Sequence, residues 1–279
     1  LAQKDLVEVT LPPHFMFSTK SSIPDQMIGL IGAPFLDLIR LLGVRTGELH
    51  KTLMSGAGDP EFAPESFNYL SLFALSQSMA SYARRTLQWA MSSKSLGKEC
   101  CKEVQFLVKN RALIEDTFKA LRQEKIDSLK IRIHGDYHLQ HILFSGGDFT
   151  IIDFEGEPTR PISERRLKRS PLRDVACMIR SFHYAALAGL REMPIDPATA
   201  LSLERWGDLW YKCCASAFLV AYIQTVNGTG IIPSSETSFK TLLNAFLLEK
   251  SIYELAYELN NRPAWAPIPL RGIYDLLGV

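Results

Sequence analysis

The amino-acid sequence predicts an α+β fold that is mostly α-helical, with a small β-hairpin insert in the middle of the chain. The first observation is that apolar residues recur every three to four positions over long stretches, which is the period of amphipathic helices. The second is a set of short apolar runs between residues 130 and 152, separated by turn residues, which is typical of strands. The third is an apolar content of 47%, which is enough to bury a sizeable core and excludes intrinsic disorder.

Residues 1–28 differ from the rest of the chain, and we predict that they form a linker or the remnant of another domain. They contain one strand-like run at 7–11, followed by two prolines and a Ser/Thr/Pro-containing segment that breaks regular structure. Beyond them the helical period predicts helices at about 28–55, 66–93, 98–124, 172–191, 197–226 and 235–260. Pro263 is expected to end the last of these helices.

Three short strands are predicted between the helical stretches, at 130–133, 142–144 and 149–152. The sequence Ser-Gly-Gly-Asp at 145–148 joins the second strand to the third and favours a tight hairpin turn. The loops at the ends of these strands therefore lie close together in sequence, where they can carry functional groups.

Charge and cysteine content exclude several classes of function. Lys plus Arg number 31 and Asp plus Glu number 30, so the net charge of +1 gives no overall attraction to nucleic acid or to an anionic membrane. The longest uncharged stretch, residues 213–235, is too short and too interrupted to span a bilayer. The five cysteines have no zinc-site spacing, which favours reduced thiols in a cytoplasmic protein.

Two loop aspartates make up the strongest chemical signal. Asp136 follows the first strand in the sequence His-Gly-Asp, and Asp153 follows the third strand. This arrangement suits phosphoryl transfer, in which one carboxylate orients the acceptor hydroxyl and takes its proton while the other binds magnesium. Either aspartate alone would be more simply explained as a turn or helix cap. His134 is predicted to hydrogen-bond within the loop, and His141 either to bind a metal or only to pack.

Several longer motifs resemble bacterial maltokinases, in particular the kinase parts that are fused behind a trehalose synthase domain. The resemblance covers about residues 29–278, and more distantly the chain is similar to aminoglycoside and choline kinases, which share the protein kinase-like fold. The motifs are LGVRTGELH at 42–50, RIHGDYHLQHIL at 132–143, IIDFEGEP at 151–158, RSPLRDVA at 169–176, MIRSFHYA at 178–185 and LLEKSIYELAYELNNRP at 247–263.

The resemblance implies roles for individual residues of the predicted site. Asp136 matches the catalytic base, and Asp153 matches the aspartate that binds the metal. His141 falls where the relatives have a metal-binding Asn or Gln, and Glu155 is a further candidate ligand. Asp174 matches a buried aspartate that supports the catalytic loop from the following helix, so its implied role is structural.

The sugar acceptor is expected to contact the last predicted helix. Its tyrosines and carboxylates recur at a spacing of four residues, which suits a sugar face and its hydroxyl groups. Without the resemblance, an ordinary amphipathic helix with half-buried tyrosines is the better explanation of the pattern. The implied maltose contacts are Tyr253, Tyr257, Glu258 and Arg262. Arg160 opens a basic segment that either binds phosphate or sugar, compensates the nearby carboxylates, or is simply solvated.

Kinases of this fold also need an N-terminal lobe with a glycine-rich loop and a strand lysine. Neither motif occurs in this chain, so residues 29–279 are predicted to form the C-terminal lobe, and ATP is expected to bind with the help of a lobe that is missing here. The expected reaction is ATP- and Mg²⁺-dependent phosphorylation of maltose at its anomeric hydroxyl, with little activity in the isolated chain. The alternatives are a kinase for another sugar or amino sugar, and a non-catalytic sugar-binding or assembly module attached to a trehalose synthase.

Overall fold

The computed structural model describes residues 11, 17, 22–56, 58–191 and 197–279. The predicted strand at 7–11 lies outside these residues except for its last position. The chain divides into two compact units. The first unit contains the described residues up to Pro64 together with Ile131–Thr229, and the second unit contains Glu65–Lys130 and Gly230–Val279.

The described part of the chain is mostly helical, and its few strands are short. The helices are α1 (Asp25–Ile31), α2 (Ala33–Met54), α3 (Tyr69–Ser92), α4 (Lys98–Lys109), α5 (Arg111–Ala120), α6 (Ile162–Arg165), α7 (Leu172–Arg191), α8 (Pro197–Val226), α9 (Glu236–Asn261) and α10 (Pro267–Leu277). The strands are β1 (Glu65–Ser66), β2 (Leu129–Lys130), β3 (Ile142–Ser145) and β4 (Asp148–Ile151). The predicted α+β, mostly α-helical fold class is confirmed.

In the first unit, the core forms where α8 packs against α2 and α7. Gly43 allows the close approach of α2 to α8, because a Cβ atom there would overlap the backbone carbonyl of Phe218. One turn later, a Cβ on Gly47 would lie 2.7 Å from the side chain of Thr225. The glycines of the LGVRTGELH motif therefore serve helix packing, and a larger residue at either position would push the helices apart.

The hairpin of the first unit pairs β3 with β4 in antiparallel register, with Ile142 opposite Ile151. Its turn has positive φ angles of 62° at Gly146 and 83° at Gly147, as a two-residue hairpin turn of this kind requires. Asp148 fixes the hairpin to α2, because its two carboxylate oxygens accept hydrogen bonds of 2.8 and 2.9 Å from Arg45. These bonds lower the pKa of the Asp148 carboxyl group.

In the second unit, helices pack around α3 and α9, and β1 pairs with β2 in antiparallel register. Helix α3 begins with a capping box, in which Asn68 accepts a hydrogen bond from the backbone of Ser71 and the Ser71 hydroxyl accepts one in return. Ser235 caps the N-terminus of helix α9, because its side chain accepts a hydrogen bond from the backbone N–H of Ser238.

The structure differs from the sequence prediction at several places. The helix predicted at about 28–55 is two helices, α1 and α2, separated at Gly32. The helix predicted at 98–124 is two helices, because Asn110 leaves helical geometry with φ −105° and ψ 30°. The strand predicted at 130–133 is shorter, and Ile131 forms only an isolated bridge with Arg169. Beyond Pro263 the chain forms a short 3₁₀ turn and then α10, a helix that the sequence analysis did not predict.

Two expectations concern the environment of the chain. Within the described ranges, no single helix has the length and apolar content needed to cross a membrane, and only α1 and α2 taken together, bent by 94°, meet those criteria. All five cysteines are described, and none of them forms a disulfide. Cys213 and Cys214 are fully buried in α8, and burial raises the pKa of the Cys213 thiol to about 12.

Candidate functional site

The loop from Ile131 to His141 carries the predicted catalytic aspartate, and it is supported from below by Asp174. The Asp174 side chain is fully buried near the start of α7. Its carboxylate accepts hydrogen bonds from the backbone N–H groups of His134, at 2.8 Å, and Gly135, at 3.0 Å. Gly135 has φ 87°, a conformation that favours glycine, so the chain turns sharply just before Asp136.

A buried network extends from Asp174 into α2 and α8. His50 Nε2 lies 3.2 Å from an Asp174 oxygen, and His50 Nδ1 lies 3.0 Å from the hydroxyl of Tyr222. A carboxylate oxygen only accepts, so Nε2 donates to Asp174, and in the neutral ring Nδ1 accepts from Tyr222. Burial is the main cause that raises the pKa of Tyr222, with the Asp174 charge adding to it. Sequence analysis did not assign a role to His50 or Tyr222.

His134 joins the loop to the end of β4. Its side chain is buried, and Nε2 lies 2.8 Å from the carbonyl oxygen of Ile152. Because a carbonyl oxygen only accepts, Nε2 carries the hydrogen, and Nδ1 can accept from the backbone N–H of Asp136 at 3.4 Å. The ring therefore connects the residue before Asp153 to the loop that carries Asp136.

Tyr137 anchors the same loop to α2. The residue is buried, and its hydroxyl lies 2.7 Å from the Oγ1 of Thr46. Thr46 already donates to the carbonyl of Leu42, so Tyr137 donates to Thr46. Burial raises the pKa of the Tyr137 hydroxyl. The loop is thus fixed on one side by α2 and on the other by α7, where the hydroxyl of Ser181 accepts from the backbone of Leu139.

Asp136, His138, His141 and Asp153 come together at the exposed end of this framework. One possible ligand atom from each of Asp136, His138 and His141 lies within 4.8 Å of the other two. His138 Nε2 is 3.6 Å from Asp136 Oδ2, and His141 Nε2 is 3.1 Å from Asp153 Oδ2. The side chains of Asp136 and His141 are largely buried, at 14% and 17% exposed, whereas that of Asp153 is 43% exposed. Asp136 and Asp153 are therefore linked through the histidines, since Asp136 lies in one group with His138 and His141, and Asp153 contacts His141.

His141 has a fixed orientation within the cluster. Its Nδ1 lies 2.8 Å from the backbone carbonyl oxygen of Asp136, so Nδ1 donates to that oxygen. Nε2 faces the Asp153 carboxylate. His138, which the sequence analysis passed over, packs beside it with ring centroids 4.0 Å apart. Its position two residues after Asp136, in the motif at 132–143, is the sequence signal that marks it as a candidate site residue.

Asp153 has an unusual backbone conformation. Its φ of 68° is positive, and it is the only residue other than glycine with a positive φ in the described part of the chain. Such a conformation costs about 1–3 kcal/mol and is concentrated at functional sites. Neighbouring bonds maintain it, because Ile152 donates its N–H to the His141 carbonyl at 3.0 Å and accepts from His134.

Two other predicted residues of the first unit have partners on the following segment. The Glu155 side chain is 63% exposed and lies 3.7 Å from the guanidinium group of Arg165. Arg160 lies 3.5 Å from Glu164, and its backbone carbonyl accepts from Arg165. The basic segment thus compensates nearby carboxylates, which is one of the alternatives that the sequence left open.

The four predicted sugar contacts belong to the second unit, at the C-terminal end of α9. Glu258 is buried and accepts two hydrogen bonds from Arg262, at 3.0 and 2.8 Å. Tyr257 is 46% exposed, and the Arg262 guanidinium group lies 5.9 Å from its ring centroid. Tyr253 is half-buried, with the ammonium group of Lys250 4.6 Å from its ring centroid. Glu258 and Arg262 therefore pair with each other, and Tyr257 is the more exposed of the two tyrosines.

Comparison with known proteins gives relatives by sequence and by structure, while no family model matches the chain. The chain is 26% identical over 148 residues to a glucosamine kinase of Streptacidiphilus jiangxiensis, and 27% identical over 145 residues to a glucosamine kinase of Mycolicibacterium smegmatis. These matches cover 53% and 52% of this chain. They cover only 32% and 34% of the relatives, so the matched part spans about a third of their length.

Solved structures of a glucosamine kinase share the fold. One, in complex with glucosamine, ADP and inorganic phosphate, has a TM-score of 0.70 at 20% identity and covers 87% of this chain. A second, crystal form B, has a TM-score of 0.68 at 18% identity and covers 99% of this chain. The chain corresponds to 52% and 57% of those two proteins.

These findings confirm the predicted kinase-like fold. The relatives that they name phosphorylate glucosamine, according to their names, so the assignment to maltokinases and the fusion to a trehalose synthase stay predictions. The chain thus has the fold of glucosamine kinases, and it is similar to two of them in sequence over about half of its own length.

Proposed function

We propose that this chain carries the catalytic loop of a kinase that transfers the γ-phosphoryl group of ATP to a hydroxyl group of a sugar. We further propose an amino sugar, with glucosamine as the first candidate, because the relatives found by sequence are glucosamine kinases. The observation that supports this most is that Asp136 and His141, on a loop braced by Asp174, lie in one cluster with Asp153 from the end of the hairpin.

In the proposed reaction, Asp136 orients the acceptor hydroxyl and takes its proton. The sugar oxygen then forms a bond to the γ-phosphorus of ATP, the bond from that phosphorus to the bridging oxygen breaks, and ADP leaves. The role of the fold is positioning, because the loop is fixed to α2 through Tyr137 and to α7 through Asp174. A fixed carboxylate loses less entropy when it reaches the reactive geometry.

A divalent cation is implied by this chemistry, since it offsets the charge of the transferred phosphates. Asp153 and His141 would hold it, with Glu155 as a further carboxylate in the same segment. The carboxylates fit magnesium, which prefers oxygen ligands, whereas the imidazole of His141 does not.

We propose that residues 29–279 are the C-terminal lobe of the kinase and that residues 1–28 link it to further sequence. The chain corresponds to 52–57% of the glucosamine kinase structures, and no glycine-rich phosphate loop was identified in it, which supports this assignment. ATP binding would then need the other lobe. A cytoplasmic location stays a prediction from the cysteine spacing, and the absence of nucleic-acid or membrane partners stays a prediction from the balanced charge.

Tyr253 and Tyr257 on α9 of the second unit stay the predicted sugar contacts. Tyr257 and Tyr253 are better candidates for stacking on a sugar face than Glu258, because both oxygens of Glu258 already accept hydrogen bonds from Arg262. Maltose is the second acceptor that we propose, because the motifs at 132–143 and 247–263 resemble maltokinases. A larger disaccharide and a single amino sugar are readily distinguished by assay.

A sugar panel tests the proposal. The 279-residue chain and the full translation product of its gene are each incubated with ATP, a divalent metal and glucosamine, glucose, N-acetylglucosamine or maltose, and ADP release is measured. We expect the full product to phosphorylate glucosamine and the isolated chain to show little activity. Release of ADP with maltose alone would favour maltokinase, and Mg-ATP binding without transfer to any of the sugars would reject the kinase assignment.

The Asp136→Asn variant of the active form tests the catalytic base. We expect kcat to fall by about 100- to 10,000-fold with little change in the KM for the sugar. Asp37→Asn is the matched control, because Asp37 is an exposed carboxylate on α2 that pairs only with Arg40 among the interactions seen. An unchanged kcat in Asp136→Asn would contradict the assignment.

A further inference from the structure

We propose that the cluster of Asp136, His138, His141 and Asp153 binds a divalent transition metal, such as Co²⁺ or Zn²⁺, in preference to Mg²⁺. The inference names the class of metal that the proposed kinase would use, and in that sense it rests on the proposed function. The metal preference itself follows from the donor atoms of the cluster. It can be measured without a sugar or a nucleotide.

The first step concerns the contact between His141 and Asp153. Nδ1 of His141 is bonded to the Asp136 carbonyl, which directs Nε2 at an Asp153 carboxylate oxygen 3.1 Å away. An imidazole nitrogen and a carboxylate oxygen from two different loops therefore face each other, as two ligands of one cation do.

The second step is geometric. Two adjacent ligands of an octahedral ion, each about 2.1 Å from the metal, lie roughly 3.0 Å apart. The measured 3.1 Å between His141 Nε2 and Asp153 Oδ2 matches this spacing. The hydrogen bond from Nδ1 to a backbone carbonyl also matches the way in which metal-binding histidines are usually oriented.

The third step adds further donors. The His138 ring lies 4.0 Å from the His141 ring between centroids, and its Nε2 is 3.6 Å from Asp136 Oδ2. One ligand atom from each of Asp136, His138 and His141 lies within 4.8 Å of the other two. Small rotations of these side chains can bring the three atoms to bonding distance from one ion. The exposed fraction of the His138 side chain is 24%, so an ion can reach it from solvent.

The donor set determines which metal is preferred. Magnesium takes oxygen ligands almost exclusively and keeps much of its water, whereas imidazole nitrogen suits the later first-row divalent ions. Two imidazoles beside two carboxylates therefore favour Co²⁺ or Zn²⁺ over Mg²⁺.

Titration of the 279-residue chain with Co²⁺ alone tests the proposal. Visible absorption reports nitrogen coordination to Co²⁺, calorimetry gives the affinity and stoichiometry, and Mg²⁺ is then added as a competitor. We expect one Co²⁺ per chain and an affinity at least about tenfold higher than that for Mg²⁺. The same titration with Zn²⁺ is expected to give a tighter complex than Mg²⁺.

Two single variants locate the site. His138→Gln and His141→Gln are each expected to weaken Co²⁺ binding by at least about 10- to 100-fold. Asp37→Asn, which removes an exposed carboxylate elsewhere in the first unit, is expected to leave Co²⁺ binding unchanged. Circular dichroism of each variant checks that the helices persist.

Three results would overturn the metal proposal: Mg²⁺ binding as tightly as Co²⁺, no Co²⁺ binding by the wild-type chain, or unchanged Co²⁺ affinity in both histidine variants. In the second case, the contact between His141 and Asp153 is an ion pair with a protonated ring. Failure of the proposed function is separable, because it would show as absent phosphoryl transfer while Co²⁺ still binds to the cluster.

Discussion

Substitution of Asp174 tests whether its buried carboxylate stabilises the loop that carries Asp136. The carboxylate is fully buried and accepts from the backbone of His134, the backbone of Gly135 and the ring of His50. Asp174→Ala removes all three acceptor contacts and leaves buried donors without partners. Asp174→Asn keeps one acceptor oxygen, which can face His134 and His50, but directs its NH₂ group at the N–H of Gly135.

The expected magnitudes follow from these contacts. Each buried donor that loses its partner costs about 1–3 kcal/mol, and removal of one partner from a buried charged pair costs about 3–5 kcal/mol. We therefore expect Asp174→Ala to lower the free energy of unfolding by about 3–5 kcal/mol. Asp174→Asn, which loses one charge-assisted bond and gains one unfavourable contact, should lower it by about 1–3 kcal/mol.

Urea denaturation followed by circular dichroism measures the loss of stability, and native-state hydrogen exchange gives a local readout. The amides of His134 and Gly135 should exchange faster in both variants, because their acceptor is lost or weakened. Asp37→Asn is the control, since substitution of an exposed carboxylate usually changes stability by less than about 0.5 kcal/mol. A loss below about 1 kcal/mol in Asp174→Ala, or unchanged exchange at both amides, would refute the reasoning.

Three further predictions test the packing, thiol environment and electrostatics of the first and second units. Gly43→Ala should destabilise the chain by about 1–3 kcal/mol in urea denaturation, whereas Gly189→Ala, with open space around it on α7, should stabilise it by up to about 1 kcal/mol. In the folded chain at pH 8, N-ethylmaleimide should label Cys101 before Cys213, whose raised thiol pKa of about 12 suppresses the thiolate; equal rates would contradict this. The pKa of Asp148 is lowered from its usual 3.8, so the ionised carboxylate stabilises the folded chain above that pH and this stabilisation is lost as the pH falls. Asp148→Asn should therefore lose less thermal stability than the wild-type chain below about pH 4.

The long helices could be predicted from sequence because their apolar period continues over many turns. Their interruptions are harder to predict, since Asn110 breaks a pattern that stays apolar on both sides. The strand predicted at 130–133 is short because its partner β1 has only two residues. Ile131 instead forms an isolated bridge with Arg169, which is distant in sequence. Helix α10 was missed because Pro263 was interpreted only as a stop, whereas Pro267 begins a new helix.

The candidate site divides in the same way into local and distant parts. Asp136, His141 and Asp153 lie within 17 residues, so their shared loops could be inferred from the hairpin between them. The network that supports them joins Asp174 to His50, 124 residues away, and His50 to Tyr222, 172 residues away. No spacing rule connects such positions, because their contact depends on how the helices of the first unit pack.

The backbone of Asp153 connects local strain to the chemistry that we propose. A positive φ costs an aspartate about 1–3 kcal/mol, which glycine at the same position would avoid. The bonds that maintain this conformation run through Ile152 to His134 and His141, two residues of the loop that also carries Asp136. The strained backbone and the position of the carboxylate therefore have the same cause. The residue before Asp153 is thus held on both sides by the loop that carries Asp136. The strain is thus a consequence of bringing the second carboxylate to His141, where a cation can join the two loops.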